Sequence, residues 1–155
     1  MQAASSSNII INKSSKDLLD DVNSNFLNFH EIIKLVLPHM LKKNWGRIIF
    51  SGSSRALKTD IGLAGYSAGK YASLGYCKTL SKEYARYGIT SNYLSLGVFN
   101  TPLYLNLNKK IKNDLLNKTD TRTVGDYSSI LNAINFLINS NYVTGSIIPV
   151  DGGFN

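Results

Sequence analysis

The chain is 155 residues long, 43% hydrophobic and 17% charged, with a mean hydropathy of −0.08. That is the size of about one domain and too apolar for a disordered chain. A single cysteine, Cys77, excludes an internal disulfide framework and a zinc site built on paired thiolates, and no metal site is expected. The net charge of +7 comes from thirteen lysines and four arginines against ten acidic residues. The lysines are scattered, as in Lys42-Lys43, Lys58, Lys82 and Lys109-Lys110-Ile111-Lys112, with no arginine cluster or stacking aromatics beside them, so nucleic acid is not an expected partner. Lys34, Pro38 and His39 interrupt the longest apolar run well short of the roughly 20 residues that span a bilayer. Met1-Gln2-Ala3-Ala4-Ser5 lacks the basic start and apolar stretch of a secretory signal. The expected location is cytoplasmic, with no membrane partner.

Residues 1–15 are small and polar apart from Ile9-Ile10-Ile11 and offer little to pack. From Asp17 to Lys43, Leu18, Val22, Phe26, Phe29, Ile33, Val36 and Met40 recur at steps of three and four, one face of a long helix. Ser15 or Ser14 is its N-cap, and Asp17, Asp20 and Asp21 suit the positive end of its dipole. Pro38 predicts a kink or break near Leu35 to Leu37. Arg47-Ile48-Ile49-Phe50-Ser51 reads as a buried strand, followed by the loop Gly52-Ser53-Ser54. Residues 64–86 read as a second helix, with Tyr71, Leu74, Cys77, Leu80 and Tyr84 on one stripe, closed by Gly88 at C′. Ile89 to Ser95 is a second strand. Gly97 to Val124 is a long Asn/Lys-rich connection with a short helix at 108–117. Asp126 to Ile138 is a further helix, and Gly145 to Val150 a last strand before Asp151-Gly152-Gly153.

Helix–strand alternation of this kind makes a parallel sheet with helices on its faces. Three strands are few for such a sheet, which ordinarily has both faces covered and both edges managed. The predicted fold is therefore α/β, an incomplete Rossmann-like, doubly wound parallel sheet of about three strands with flanking helices.

Tyr66 and Lys70 lie four residues apart on the second helix, one above the other on the same face. An ammonium held near a phenol favours the ionised form, so Tyr66 is a candidate acid/base group. Such a pair also occurs on helix surfaces by chance. Ser53, thirteen residues before Tyr66, falls just past a buried strand, where open α/β sheets place their ligand crevice. It could hydrogen-bond a substrate oxygen, or it could simply cap a helix or a turn.

Gly46-Arg47-Ile48-Ile49-Phe50-Ser51-Gly52-Ser53-Ser54, Tyr66-Ser67-Ala68-Gly69-Lys70 and Tyr87-Gly88-Ile89-Thr90-Ser91-Asn92 together resemble the short-chain dehydrogenase/reductase family, and most nearly its 3-oxoacyl-carrier-protein reductases. Leu96 to Thr101, Tyr142 to Gly145 and Val150 to Gly153 extend the resemblance to the carboxyl end. It implies an NAD(P)-dependent oxidoreductase that interconverts a carbonyl and an alcohol by hydride transfer, on a small or carrier-bound substrate. Tyr66 would donate the proton, Lys70 would bind the nicotinamide ribose and make the phenol more acidic, and Ser53 would hold the substrate oxygen. Asn25 would be the fourth catalytic residue, supporting a water relay to the lysine. Gly97, Val98 and Thr101 match the segment at the nicotinamide carboxamide, so the cofactor-binding set is Tyr66, Lys70, Gly97, Val98 and Thr101. Helices 17–43 and 64–86 match the faces through which the family forms oligomers, although each also needs a face to pack on its own sheet.

Only the C-terminal part of the family's domain is matched. Met1-Gln2-Ala3-Ala4 falls where the fourth strand would end, and no Gly-rich turn of the kind that cradles a pyrophosphate occurs. The expectation is a single partial domain over 1–155 lacking the dinucleotide-binding half. The choice between NAD and NADP is left open, with the resemblance leaning to NADPH. The rival expectation is an inactive fragment acting only through helix-mediated association. Leu96 stands where the family usually has proline, and the 100–124 connection reads as polar.

Overall fold

Ser14 opens the first helix: its hydroxyl accepts the Asp17 N–H at 3.1 Å, and Asp17 in the first turn complements the helix dipole. In this computed structural model, which describes residues 8–155, helix α1 (Ser15–Val22) runs through one π-helical turn (Asn23–Leu27) into α2 (Asn28–Lys43). The match of Met1 to Ala4 with a preceding strand lies outside the described residues. Of the expected kink or break near Leu35 to Leu37, the break does not occur: α2 runs on through Pro38. Pro38 and Lys34, whose carbonyl the ring displaces, are both exposed, so solvent satisfies that group and the helix continues. The departure from α geometry falls earlier, at Asn25.

β1 (Gly46–Ser51), β2 (Ile89–Leu96) and β3 (Ile147–Val150) form one parallel sheet in the order β1-β2-β3. Gly46 stands opposite Ile89 and Ser51 opposite Leu94; Tyr93 stands opposite Ile147 and Leu96 opposite Val150. Central β2 is buried almost throughout, as a parallel strand covered on both faces should be. One of its polar residues, Asn92, fastens a loop to the strand, while the buried Thr90 hydroxyl has no partner among the described residues. Asn92 donates to the Val143 carbonyl at 2.8 Å and accepts the Ser146 N–H at 3.2 Å, stitching the loop before β3 onto the strand.

α3 (Ser54–Lys58) follows β1, and α4 (Ala64–Tyr84) leads through a 3-10 turn to Gly88, whose φ of +71° closes the helix as the sequence predicts. On one face of the sheet, Leu74, Cys77 and Leu80 of α4 and Ile33 of α2 bury against Ile48, Phe50, Ile89 and Tyr93. Cys77 is fully enclosed there, beside the Ser91 hydroxyl at 3.4 Å. Tyr71, expected on that stripe, is exposed and donates to the Leu57 carbonyl. Arg47 projects from the other face of β1 and reaches the Ile138 carbonyl at 3.0 Å, at the end of α7 (Tyr127–Asn139). Helices thus cover both faces. The long connection holds α5 (Pro102–Leu105), absent from the sequence reading, and α6 (Lys109–Asn117), close to its predicted place.

Candidate functional site

The carboxyl ends of all three strands meet. Gly52 N–H donates to the Leu94 carbonyl at 2.7 Å and Gly97 N–H to the Val150 carbonyl at 3.0 Å. Beneath them one buried hydroxyl ties the ends together. Ser54 Oγ lies 2.8 Å from Ser95 Oγ and donates to Asp151 Oδ2 at 2.5 Å. Sequence reasoning missed this contact, because a second serine in a Gly/Ser loop carries no pattern that marks it.

Above the strand ends opens a cavity of about 500 Å³. Ser53 and Tyr66 line it, together with Gly97, Val98 and Thr101. Ser53 is also the N-cap of α3, its oxygen accepting the Ala56 N–H at 3.2 Å. An oxygen that accepts this bond still has a hydroxyl proton to donate, so the capping role leaves the other role open. Tyr66 sits in the first turn of α4. One turn further, the Lys70 ammonium lies 5.7 Å from the centre of the Tyr66 ring and donates to the Ser51 carbonyl at 2.8 Å. Lys70 is 6% exposed, and this burial lowers its pKa to about 8. Beneath it, burial pushes the Tyr93 hydroxyl well up.

Lys70 and Asn25 do not line the cavity; they stand behind it. Asn25 is 1% exposed and sits inside the π-helical turn. Its amide donates to the Asp21 carbonyl at 2.8 Å, and its own carbonyl accepts from Ser73 at 2.7 Å. The side-chain oxygen of Asn25 is buried with no protein partner. A π turn frees backbone groups from the helix ladder and recurs at functional sites.

The rest of the cavity corrects the polar reading of 100–124. Leu103, Tyr104, Leu107, Ile111 and Leu115 all line it. Leu103 and Tyr104 come from α5, Leu107 from the turn after it, and Ile111 and Leu115, four apart, from one face of α6; the Asn and Lys between them mask these apolar residues in composition. Tyr127 stacks on Phe99 at 6.5 Å, and Phe154 adds a further wall. At the rim, Asp60 binds both Arg55 and Lys118 at 3.1 Å. Partial burial pushes this carboxyl up, but hydrogen bonds from Lys118, Ile61 N–H and Arg55 hold it below its ordinary value. Among the described residues no group of three or more His, Cys, Asp or Glu is placed to hold a metal.

A family model described as enoyl-(acyl carrier protein) reductase matches residues 2–155. A 3-oxoacyl-(acyl-carrier-protein) reductase of Buchnera aphidicola subsp. Schizaphis graminum is 34% identical over 96% of this chain and 62% of its own length. A bovine protein of the same description is 32% identical over 94% of the chain and 60% of its own length. The nodulation protein G of Azospirillum brasilense is 29% identical over 86% of the chain and 55% of its own. The chain therefore spans about 60% of the length of most of the curated relatives it matches.

Proposed function

Because this chain belongs to the short-chain dehydrogenase/reductase family, matched along residues 2–155, we propose that its cavity serves NAD(P)-dependent interconversion of a carbonyl and an alcohol, on a 3-oxoacyl-like substrate that is small or carrier-bound. The observation that carries this reading is the sharing of one largely apolar cavity by Ser53 and Tyr66, with the Lys70 ammonium a helical turn behind.

The residues present fit the nicotinamide end of such a cofactor. Lys70 spends one of its three N–H bonds on the Ser51 carbonyl and has two left for ribose hydroxyls. Gly97, Val98 and Thr101 line the cavity beside Tyr66, where a carboxamide would be bound. A reduced nicotinamide held there would supply the hydride. Tyr66 donates its phenolic proton to the carbonyl oxygen, Ser53 donates a hydrogen bond to the same oxygen, and the Lys70 charge stabilises the phenolate left behind. Asn25, inside its π turn, holds the carboxamide oxygen that would anchor a water toward the lysine. The apolar residues of α5 and α6 exclude bulk water and take up an acyl chain. These 155 residues contain no Gly-rich phosphate turn, so nothing in them selects between NAD and NADP; NADPH is favoured only by likeness to the reductases. The reading places the reaction in the cytoplasm. No helix among the described residues is long and apolar enough to cross a membrane.

Changing Tyr66 to Phe, in a protein assayed with reduced cofactor and a 3-oxoacyl thioester, should abolish reduction and leave cofactor binding nearly unchanged. Retained turnover overturns the acid/base assignment. A second reading has its own support: Ile32 and Leu35 of α2 are 51% and 74% exposed, a face suited to pairing with a like helix. On that reading the chain is inactive and acts only by association. Titration calorimetry with millimolar reduced cofactor separates the two, since heat of binding favours the enzyme and its absence favours the associating fragment.

A further inference from the structure

We propose that Phe154 sets the upper size of the apolar group this cavity admits. The inference rests on reading the cavity as the substrate site. Much of the apolar lining can yield: Leu103 and Ile111 are 63% and 42% exposed and belong to the short helices α5 and α6. Three apolar lining residues are buried and cannot, namely Leu63, Phe99 and Phe154, at 5%, 7% and 4% exposure. Leu63 directly precedes the helix that carries Tyr66, and Phe99 lies between Val98 and Thr101. Phe154 belongs to no segment that carries a proposed reacting group.

Its backbone is held on both sides. Asp120 N–H donates to the Gly153 carbonyl at 3.2 Å, Thr121 N–H to the Gly152 carbonyl at 3.1 Å, and Asn155 N–H to the Lys118 carbonyl at 2.7 Å. The Asn155 side chain adds a 2.8 Å bond to Asp120, and Phe154 itself bridges to buried Thr119. A ring on a segment so clasped does not swing aside for a larger guest. Interiors of this density answer added volume with strain rather than accommodation. The exposed side chains of α5 and α6 therefore adapt to shape, and Phe154 limits size.

The test is binding, independent of turnover. Unbranched methyl ketones from 2-pentanone to 2-dodecanone are titrated by ligand-observed NMR against the full chain, Phe154→Ala and Phe154→Trp, each checked for folding by circular dichroism. In the unaltered protein each methylene should tighten binding about fourfold while it is buried, up to a chain length beyond which affinity stops rising. Phe154→Ala should move that break to longer ketones, with a gain of about fourfold for the first ketone past the original limit. Phe154→Trp should move it to shorter ones, and decides the matter if the alanine variant fails to fold. A break at the same length in all the folded proteins, or no ketone binding at any length, overturns the proposal. Loss of the reductase reading looks different: Tyr66→Phe would then keep turnover while the break still moved with residue 154.

Discussion

A lysine with 6% exposure is an unstable guest in a small α/β core, because its ammonium leaves water for one carbonyl partner. Lys70 is protonated in the unfolded chain up to about pH 10, but in the folded chain only up to about 8. Between these values the unfolded state binds more protons, so the Lys70 contribution to stability rises with pH across that window and is lost as pH falls through 8. Lys70→Met should therefore be more stable than the unaltered protein near pH 7, and the advantage should shrink by about 2–3 kcal/mol by pH 10. Urea unfolding of both proteins at pH 7, 8.5 and 10 measures the difference. On the proposed mechanism the same titration appears in the reaction: reduction falls as pH rises through about 8, since the neutral amine no longer stabilises the Tyr66 phenolate. An unstable charge retained at the site of proposed chemistry is what a functional group looks like.

At the scale of elements, the contact of α1, the π turn and α4 depends on small residues. A Cβ on Gly69 would lie 2.7 Å from the Asn25 Cβ and 3.2 Å from the Asp21 carbonyl oxygen. In an isolated helix, Gly→Ala is favourable by about 1 kcal/mol. Here Gly69→Ala should instead destabilise by about 1–3 kcal/mol, seen as a lower thermal midpoint, and it should displace Asn25. The order of elements was legible in the sequence because periodicity reports which face of a segment is buried. Phe26, Phe29 and Ile33 marked one helix face, and Gly88 marked a helix end by a backbone conformation few other residues tolerate. The π turn was not legible, since Asn25 sits in an uninterrupted helical pattern and what breaks the ladder is packing on α4. That Pro38 would not end the helix was hidden for the converse reason: whether a proline breaks a helix depends on exposure, which sequence does not state. The candidates Ser53, Tyr66 and Lys70 could be named from spacing and from position after a strand, whereas the apolar residues of α5 and α6 were hidden among Asn and Lys.

For the whole molecule, the core residues beneath α4 are buried, but the outer face of α2 leaves Ile32, Leu35 and Val36 at 51%, 74% and 37% exposure. Contiguous apolar residues of this kind on a soluble surface mark association sites. Sedimentation should find the chain self-associated at micromolar concentration, and Leu35→Glu should shift it toward monomer without loss of helicity. An unchanged distribution would mean this face is not the contact.

The lone thiol of the chain offers a way to watch that core open. Cys77 is fully enclosed between α4 and β2, and burial pushes its thiol up, so the folded molecule presents no thiolate to a reagent. Alkylation by iodoacetamide can then proceed only through opened molecules. Under fast reclosing, its rate divided by that of the denatured chain gives the fraction open at any moment. The wild-type protein thus carries its own stability clock, readable by mass alone at concentrations too low for optical unfolding, and usable on every variant that keeps residue 77.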